Sequence, residues 1–92
     1  MITKAKQADS RFLLKRIGKR LKFYRLSKGF TQEELAERAG FTRSYYTEIE
    51  TGKRNVSIVN LCRLSSALNV PLGELMDIPI DQEVALTRVV NS

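Results

Sequence analysis

Apolar residues recur along this chain at spacings of three and four, and strict alternation is nearly absent, so the pattern predicts helices. Ser10 is placed to cap a first helix running to about Lys28, with Gly29 as its stop. With Leu14 as origin and ~100° per residue, Ile17, Leu21 and Tyr24 fall within about 80° of it and form a core-facing stripe. Lys15, Arg16, Lys19 and Arg20 point elsewhere. Phe12, Phe23 and Leu26 fall on the opposite face, where a contact between two copies or packing of the N-terminal segment would cover them.

The next pattern occurs three times: an apolar residue, a Thr or Ser cap, and a second apolar residue four positions after the cap. Phe30-Thr31…Leu35, Phe41-Thr42…Tyr46 and Val56-Ser57…Leu61 each fit the hydrophobic staple, and Glu34 completes a capping box with Thr31. These starts predict helices over about 32–39, 43–51 and 58–68, closed by Gly40, Gly52 and Asn69 in the left-handed conformation. A short fifth helix over about 72–77 follows Pro71. Only Gly40-Phe41-Thr42 separate the second and third helices, which is the spacing of a helix-turn-helix and also of a plain helical hairpin. After Met76, Asp81 would cap a last helix carrying Val84, Leu86, Val89 and Val90, although Val84, Leu86 and Val90 also fit a strand. The expected organisation is therefore a basic arm over 1–9, an all-α five-helix domain over 10–77, and a C-terminal extension over 78–92.

Charge changes the picture by its distribution. Residues 1–30 hold ten Lys/Arg against one acid (+9), residues 31–55 four against five (−1), and residues 56–92 two against four (−2), for a net charge of +6. Such a pole favours a polyanionic partner, with a merely solvated helix face as the alternative. The chain has no His and one Cys, so it holds no Ser-His or Cys-His pair, no Cys/His zinc cluster and no internal disulfide. With no glycine-rich phosphate loop either, neither an enzyme nor a cofactor or metal is expected. Uninterrupted apolar runs reach only three residues, which leaves no membrane span and predicts a small soluble cytoplasmic module. Cys62, next to core Leu61, is expected to be half-buried.

One charge pair follows from helical geometry. Arg25 lies eleven residues after Leu14, about 20° from the centre of the core stripe. Glu50 follows Tyr46 by four residues and shares the inward face of the third helix with Ile49. Each inward charge needs a partner, so Arg25 and Glu50 are expected to pair across the core.

The third helix begins Arg43-Ser44-Tyr45, and a helix N-terminus entering a major groove presents its first-turn side chains to base edges. Arg43 suits guanine, Ser44 either base, and Tyr45 a thymine methyl or a phosphate; Tyr45 packed against the second helix is the alternative. Thr47 and Glu48 lie one turn further on, and Glu48 would accept from cytosine or else repel phosphates. Phosphate contacts are assigned to Gln32 with the free N–H groups of the second helix, to Thr42, and to Lys53, Arg54 and Asn55 in the loop after the third helix. Lys4 and Lys6 would add attraction independent of sequence.

The segments Leu21–Arg25, Gly29–Ala36, Ala39-Gly40, Thr42–Tyr45 and Ile49–Arg54 together resemble the lambda-repressor-like (XRE) helix-turn-helix family over about residues 15–76. The resemblance implies a compact five-helix domain that binds double-stranded DNA, usually as a dimer on palindromic operators with the third helix in the major groove. It also implies an Arg–Glu salt bridge at the positions of Arg25 and Glu50 and a phosphate-binding role for Gln32. Arg43-Ser44-Tyr45 followed by Lys53-Arg54-Asn55 is most similar to the controller proteins of restriction–modification systems, which implies that Arg54 reaches a base. Pro71 departs from the Ser or Thr that the family places before its fifth helix, and the residues from Ile78 onward match no part of it.

The expected function is a dimeric, sequence-specific transcriptional regulator, with the dimer surface in residues 64–92. Within that class a restriction–modification controller, a phage-type repressor and an antitoxin holding a toxin through residues 78–92 stay open, and a protein-interaction adaptor is a competing use of the same fold. A membrane-surface helix is disfavoured because the apolar stripe of the first helix is committed to the core.

Overall fold

The computed structural model describes the backbone over residues 2–77 and the side chains over residues 10–77. Five helices follow in order: α1 (Ile2–Ser27), α2 (Gln32–Ala39), α3 (Arg43–Glu50), α4 (Ile58–Leu68) and α5 (Leu72–Leu75). Among the described residues there is no strand. The tail with its helix-or-strand alternative, and the extension over 78–92, lie outside the described residues.

The capping signals act locally as expected. The Thr31, Thr42 and Ser57 side chains accept from the N–H groups of Glu34, Tyr45 and Asn60, and Glu34 closes the reciprocal box. Gly40, Gly52 and Asn69 all take positive φ, at 80°, 75° and 57°. Each staple brings its second residue (Leu35, Tyr46 or Leu61) into the core, with Phe30, Phe41 and Val56 packed in or against it.

Three expectations are corrected. The first helix starts at Ile2, so the segment read as a separate arm runs on as the same helix through Ser10. Residues 2–9 hold Ala, Lys and Gln, which favour helix, and contain neither Gly nor Pro to stop it. The N-terminal segment therefore does not fold back over Phe12, Phe23 and Leu26, and Phe23 and Leu26 stand 63% and 57% exposed. Cys62 is exposed rather than half-buried. The fifth helix ends at Leu75, short of 77, where Arg20 bonds the carbonyls of Glu74 and Leu75 that a longer helix would engage.

Leu21, Leu35, Tyr46, Ile49, Leu64, Leu68 and Leu75 are fully buried and join all five helices in one core. Each such aliphatic side chain contributes about 1.5–3 kcal/mol on leaving water. Helix α1 packs on α3 and α5, α2 on α3 and α4, and α4 on α5. Helix α3 is thus wedged between α1 and α2, with Tyr46, Ile49 and Glu50 inward and Arg43 and Ser44 at its start exposed.

Candidate nucleic-acid interface

The turn between α2 and α3 sets the orientation of α3. Gly40 (φ 80°, ψ 29°) donates its N–H to the carbonyls of Ala36 and Glu37, and Phe41 N–H bonds Ala36 O at 2.8 Å. This left-handed stop turns the chain in three residues, where a β-carbon would be strained. Thr42 Oγ1 then accepts from Tyr45 N–H at 3.1 Å, which starts α3 at Arg43. The first two side chains of α3, Arg43 and Ser44, project into solvent.

The inward side of α3 is anchored by the expected ion pair. Arg25 Nε donates to Glu50 Oε2 at 2.8 Å and its Nη2 to Glu50 Oε1 at 3.0 Å, with both residues buried. The third guanidinium nitrogen, Nη1, donates to Phe30 O at 2.8 Å. Glu50 also accepts from the Tyr46 hydroxyl and from Gln32 Nε2. Burial alone would push the Glu50 carboxyl up, but the hydrogen bonds from Arg25, Tyr46 and Gln32 together hold it below the usual carboxylate range. Hydrogen bonding to Glu50, opposed by burial, raises Arg25. Burial, reinforced by Glu50, pushes the Tyr46 phenol far up, so it remains a donor. Among the described residues no buried side-chain polar atom lacks a partner.

Each residue expected in the interface now has a place. Lys53 and Asn55 are exposed in the loop after α3, as is Thr42 at its start. Gln32 sits at the N-terminus of α2, but one amide N–H goes to Glu50 and its Oε1 accepts from Thr47 Oγ1 at 3.2 Å. Thr47 is therefore half-buried against α2 and spends its hydroxyl proton within the protein. Glu48 Oε1 accepts from Arg54 Nε at 2.8 Å. Tyr45 is half-buried, packed edge-on to Phe41 with ring centroids 5.0 Å apart, and Arg54 lies 5.1 Å over its ring. Its hydroxyl accepts from Asn60 Nδ2 of α4 at 2.8 Å. Arg43, Ser44, Lys53 and Asn55 thus reach outward, while Tyr45, Thr47, Glu48, Arg54 and Gln32 are engaged with neighbours.

Two residues escaped the sequence reading. Arg20, read as one of the outward basic residues of α1, bonds the carbonyls of Leu75 at 3.1 Å and Glu74 at 2.6 Å, while the Tyr24 hydroxyl donates to Glu74 Oε2. Two of the ten basic residues in the first third, Arg20 and Arg25, therefore hold the fold together instead of facing a partner. Asn60 follows a cap on a neighbouring helix, and no spacing signal ties it to Tyr45. Among the described residues, no group of His, Cys, Asp or Glu is placed to hold a metal ion.

Against known proteins, a family described as Helix-turn-helix matches residues 21–75. The control protein C.MunI from Mycoplasma sp is 46% identical over 61 residues, 65% of this chain and 82% of its own length. The restriction-modification controller protein C.AhdI from Aeromonas hydrophila superimposes with a TM-score of 0.71 at 43% identity, covering 73% of this chain and 97% of that one. SinR, a master regulator for biofilm formation solved in complex with DNA, superimposes with a TM-score of 0.63 at 44% identity, over 66% of this chain and 98% of that one.

Proposed function

The chain belongs to the helix-turn-helix family, and on that premise we propose that it is a sequence-specific DNA-binding transcriptional regulator acting as a dimer on a palindromic operator, with α3 in the major groove. The observation that carries this reading is the geometry of α3. A buried Arg25–Glu50 pair fixes its inner face, and its solvent-facing start offers Arg43 and Ser44 as the first side chains to meet base edges. Thr42 at that start and Lys53 and Asn55 in the loop after α3 are exposed donors for the phosphate backbone, and the basic α1 adds attraction that ignores sequence.

One domain of this size reads only a few base pairs, so two copies on half-sites about 34 Å apart are expected. Their contact is assigned to the end of α4, α5 and the residues that follow. The protein works by binding, without catalysis or cofactor, in the cytoplasm of a bacterium on the nucleoid. Its likeness to C.MunI and C.AhdI favours control of a restriction–modification system as its biological setting. An antitoxin or adaptor using residues 78–92 to hold a protein partner is the competing setting.

Selection of binding sites from random duplexes, with the mass of each complex measured alongside, tests the proposal. A palindromic consensus bound by two chains supports it. No enriched sequence overturns the regulator reading in favour of an adaptor, and one chain per duplex removes the dimer.

A further inference from the structure

Arg54 sits in the loop after α3, with its side chain half exposed, where an arginine is ordinarily free to sample many rotamers. Here it is restrained from two directions. Glu48 Oε1 holds its edge through Nε at 2.8 Å, and the Tyr45 ring underlies its face at 5.1 Å. Tyr45 is itself fixed twice: its ring packs edge-on to Phe41 at an interplanar angle of 68°, and its oxygen accepts from Asn60 Nδ2 at 2.8 Å. Asn60 in turn lies in the first turn of α4, its backbone N–H bonded to the cap Ser57 at 3.1 Å. A line of contacts therefore runs from a rigid helix start through a tyrosine to a loop guanidinium.

We propose that Asn60, Tyr45 and Glu48 form a clamp that orients Arg54, so that Arg54 reads a base while Tyr45 and Glu48 act as positioning residues. The inference rests on the DNA-reading function proposed above. The ion pair occupies Nε and leaves Nη1 and Nη2 outside it, and two parallel terminal donors are what a bidentate contact to guanine O6 and N7 uses. A surface ion pair alone holds an arginine weakly, and the aromatic floor supplies the second restraint. Ordering the guanidinium before DNA arrives removes part of the entropy cost of forming the contact.

Two readouts test the clamp. In the free protein, the Arg54 Nε–H resonance of the wild-type chain is expected to be slowly exchanging and shifted by the Tyr45 ring. It should move towards its random-coil position in Glu48→Gln and Asn60→Ala. On the selected operator, Kd is then measured for every single-base-pair change with wild type, Arg54→Ala, Asn60→Ala, Glu48→Gln and Tyr45→Phe. The clamp predicts that Asn60→Ala, Glu48→Gln and Tyr45→Phe each weaken, by about two- to fivefold, the preference at the same base pair that Arg54→Ala abolishes. Asn60→Ala should add nothing on the Arg54→Ala background. Equal loss over all sequences, or an effect of Glu48→Gln at a different base pair, overturns it. A wild-type chain that selects no sequence defeats the DNA-reading function, whereas an Arg54 signal unmoved by Glu48→Gln and Asn60→Ala defeats the clamp without reference to DNA.

Discussion

Gly18 of α1 meets Glu50, the last residue of α3, backbone to backbone. A β-carbon at Gly18 would overlap the Glu50 carbonyl oxygen and stand 2.7 Å from its carbonyl carbon and 2.9 Å from Ile49 O. This close approach brings α1 near enough for Arg25, two turns further along, to reach the Glu50 carboxylate. In an open helix, Gly→Ala stabilises by about 1 kcal/mol. Here the helices must part, so Gly18→Ala is expected to destabilise by about 1–3 kcal/mol. Urea unfolding of the variant checks the sign, and a stabilised variant would refute the contact.

The Arg25–Glu50 pair is expected to behave as a unit. Arg25→Met or Glu50→Leu alone should cost about 3–5 kcal/mol, because each strands a buried opposite charge. The double variant should cost well under the sum of the two. A double-mutant cycle measured by denaturant unfolding decides, and additive costs would show that the two groups do not sense each other.

The same pair gives stability a pH dependence of definite sign. Glu50 titrates lower in the folded protein than when unfolded, so its contribution is fully present above the unfolded carboxylate value of about 4.3 and is lost as pH falls through the depressed folded value. The stability gap between wild type and Glu50→Gln should therefore shrink as pH is lowered from 5 towards 2. Thermal midpoints across that range check it, and a gap that widens would reverse the assignment.

How much was legible in advance divides along a physical line. Caps, staples and left-handed stops act within five residues, so Thr31, Thr42, Ser57, Gly40 and Asn69 announced their roles directly. The Arg25–Glu50 pair spans twenty-five residues, yet helical phase alone turned both charges inward. The start of α1 was misread because Ser10 looks like a cap, and only the continuing helix shows that it is interior. The roles of Arg20, Gln32 and Asn60 depend on which side chains the fold brings within reach from other helices. Periodicity gives a direction for each of them but no partner. For Glu48 and Arg54 the residue types were informative and their mutual engagement was not.

Arg20 ties α1 to the end of α5 by bonding the carbonyls of Glu74 and Leu75. Arg20→Met is expected to cost about 1–2 kcal/mol and to speed amide exchange at Leu75, Met76 and Asp77 before the rest of the chain. Hydrogen exchange resolved by residue provides the check. Uniform acceleration through α2 and α4 would mean that Arg20 supports the whole core instead of this junction.

On the function proposed above, Arg43 at the start of α3 reads a base while Lys53 in the loop after α3 holds a phosphate. Its most direct test compares Arg43→Ala with Lys53→Ala on the selected operator, on its single-base variants and on random duplex across a range of salt. Arg43→Ala should remove about 1–3 kcal/mol of discrimination at one base pair in each half-site and leave binding to random DNA nearly unchanged. Lys53→Ala should weaken every duplex alike and flatten the salt dependence. Equal losses from both variants on specific and random DNA would contradict these roles of Arg43 and Lys53.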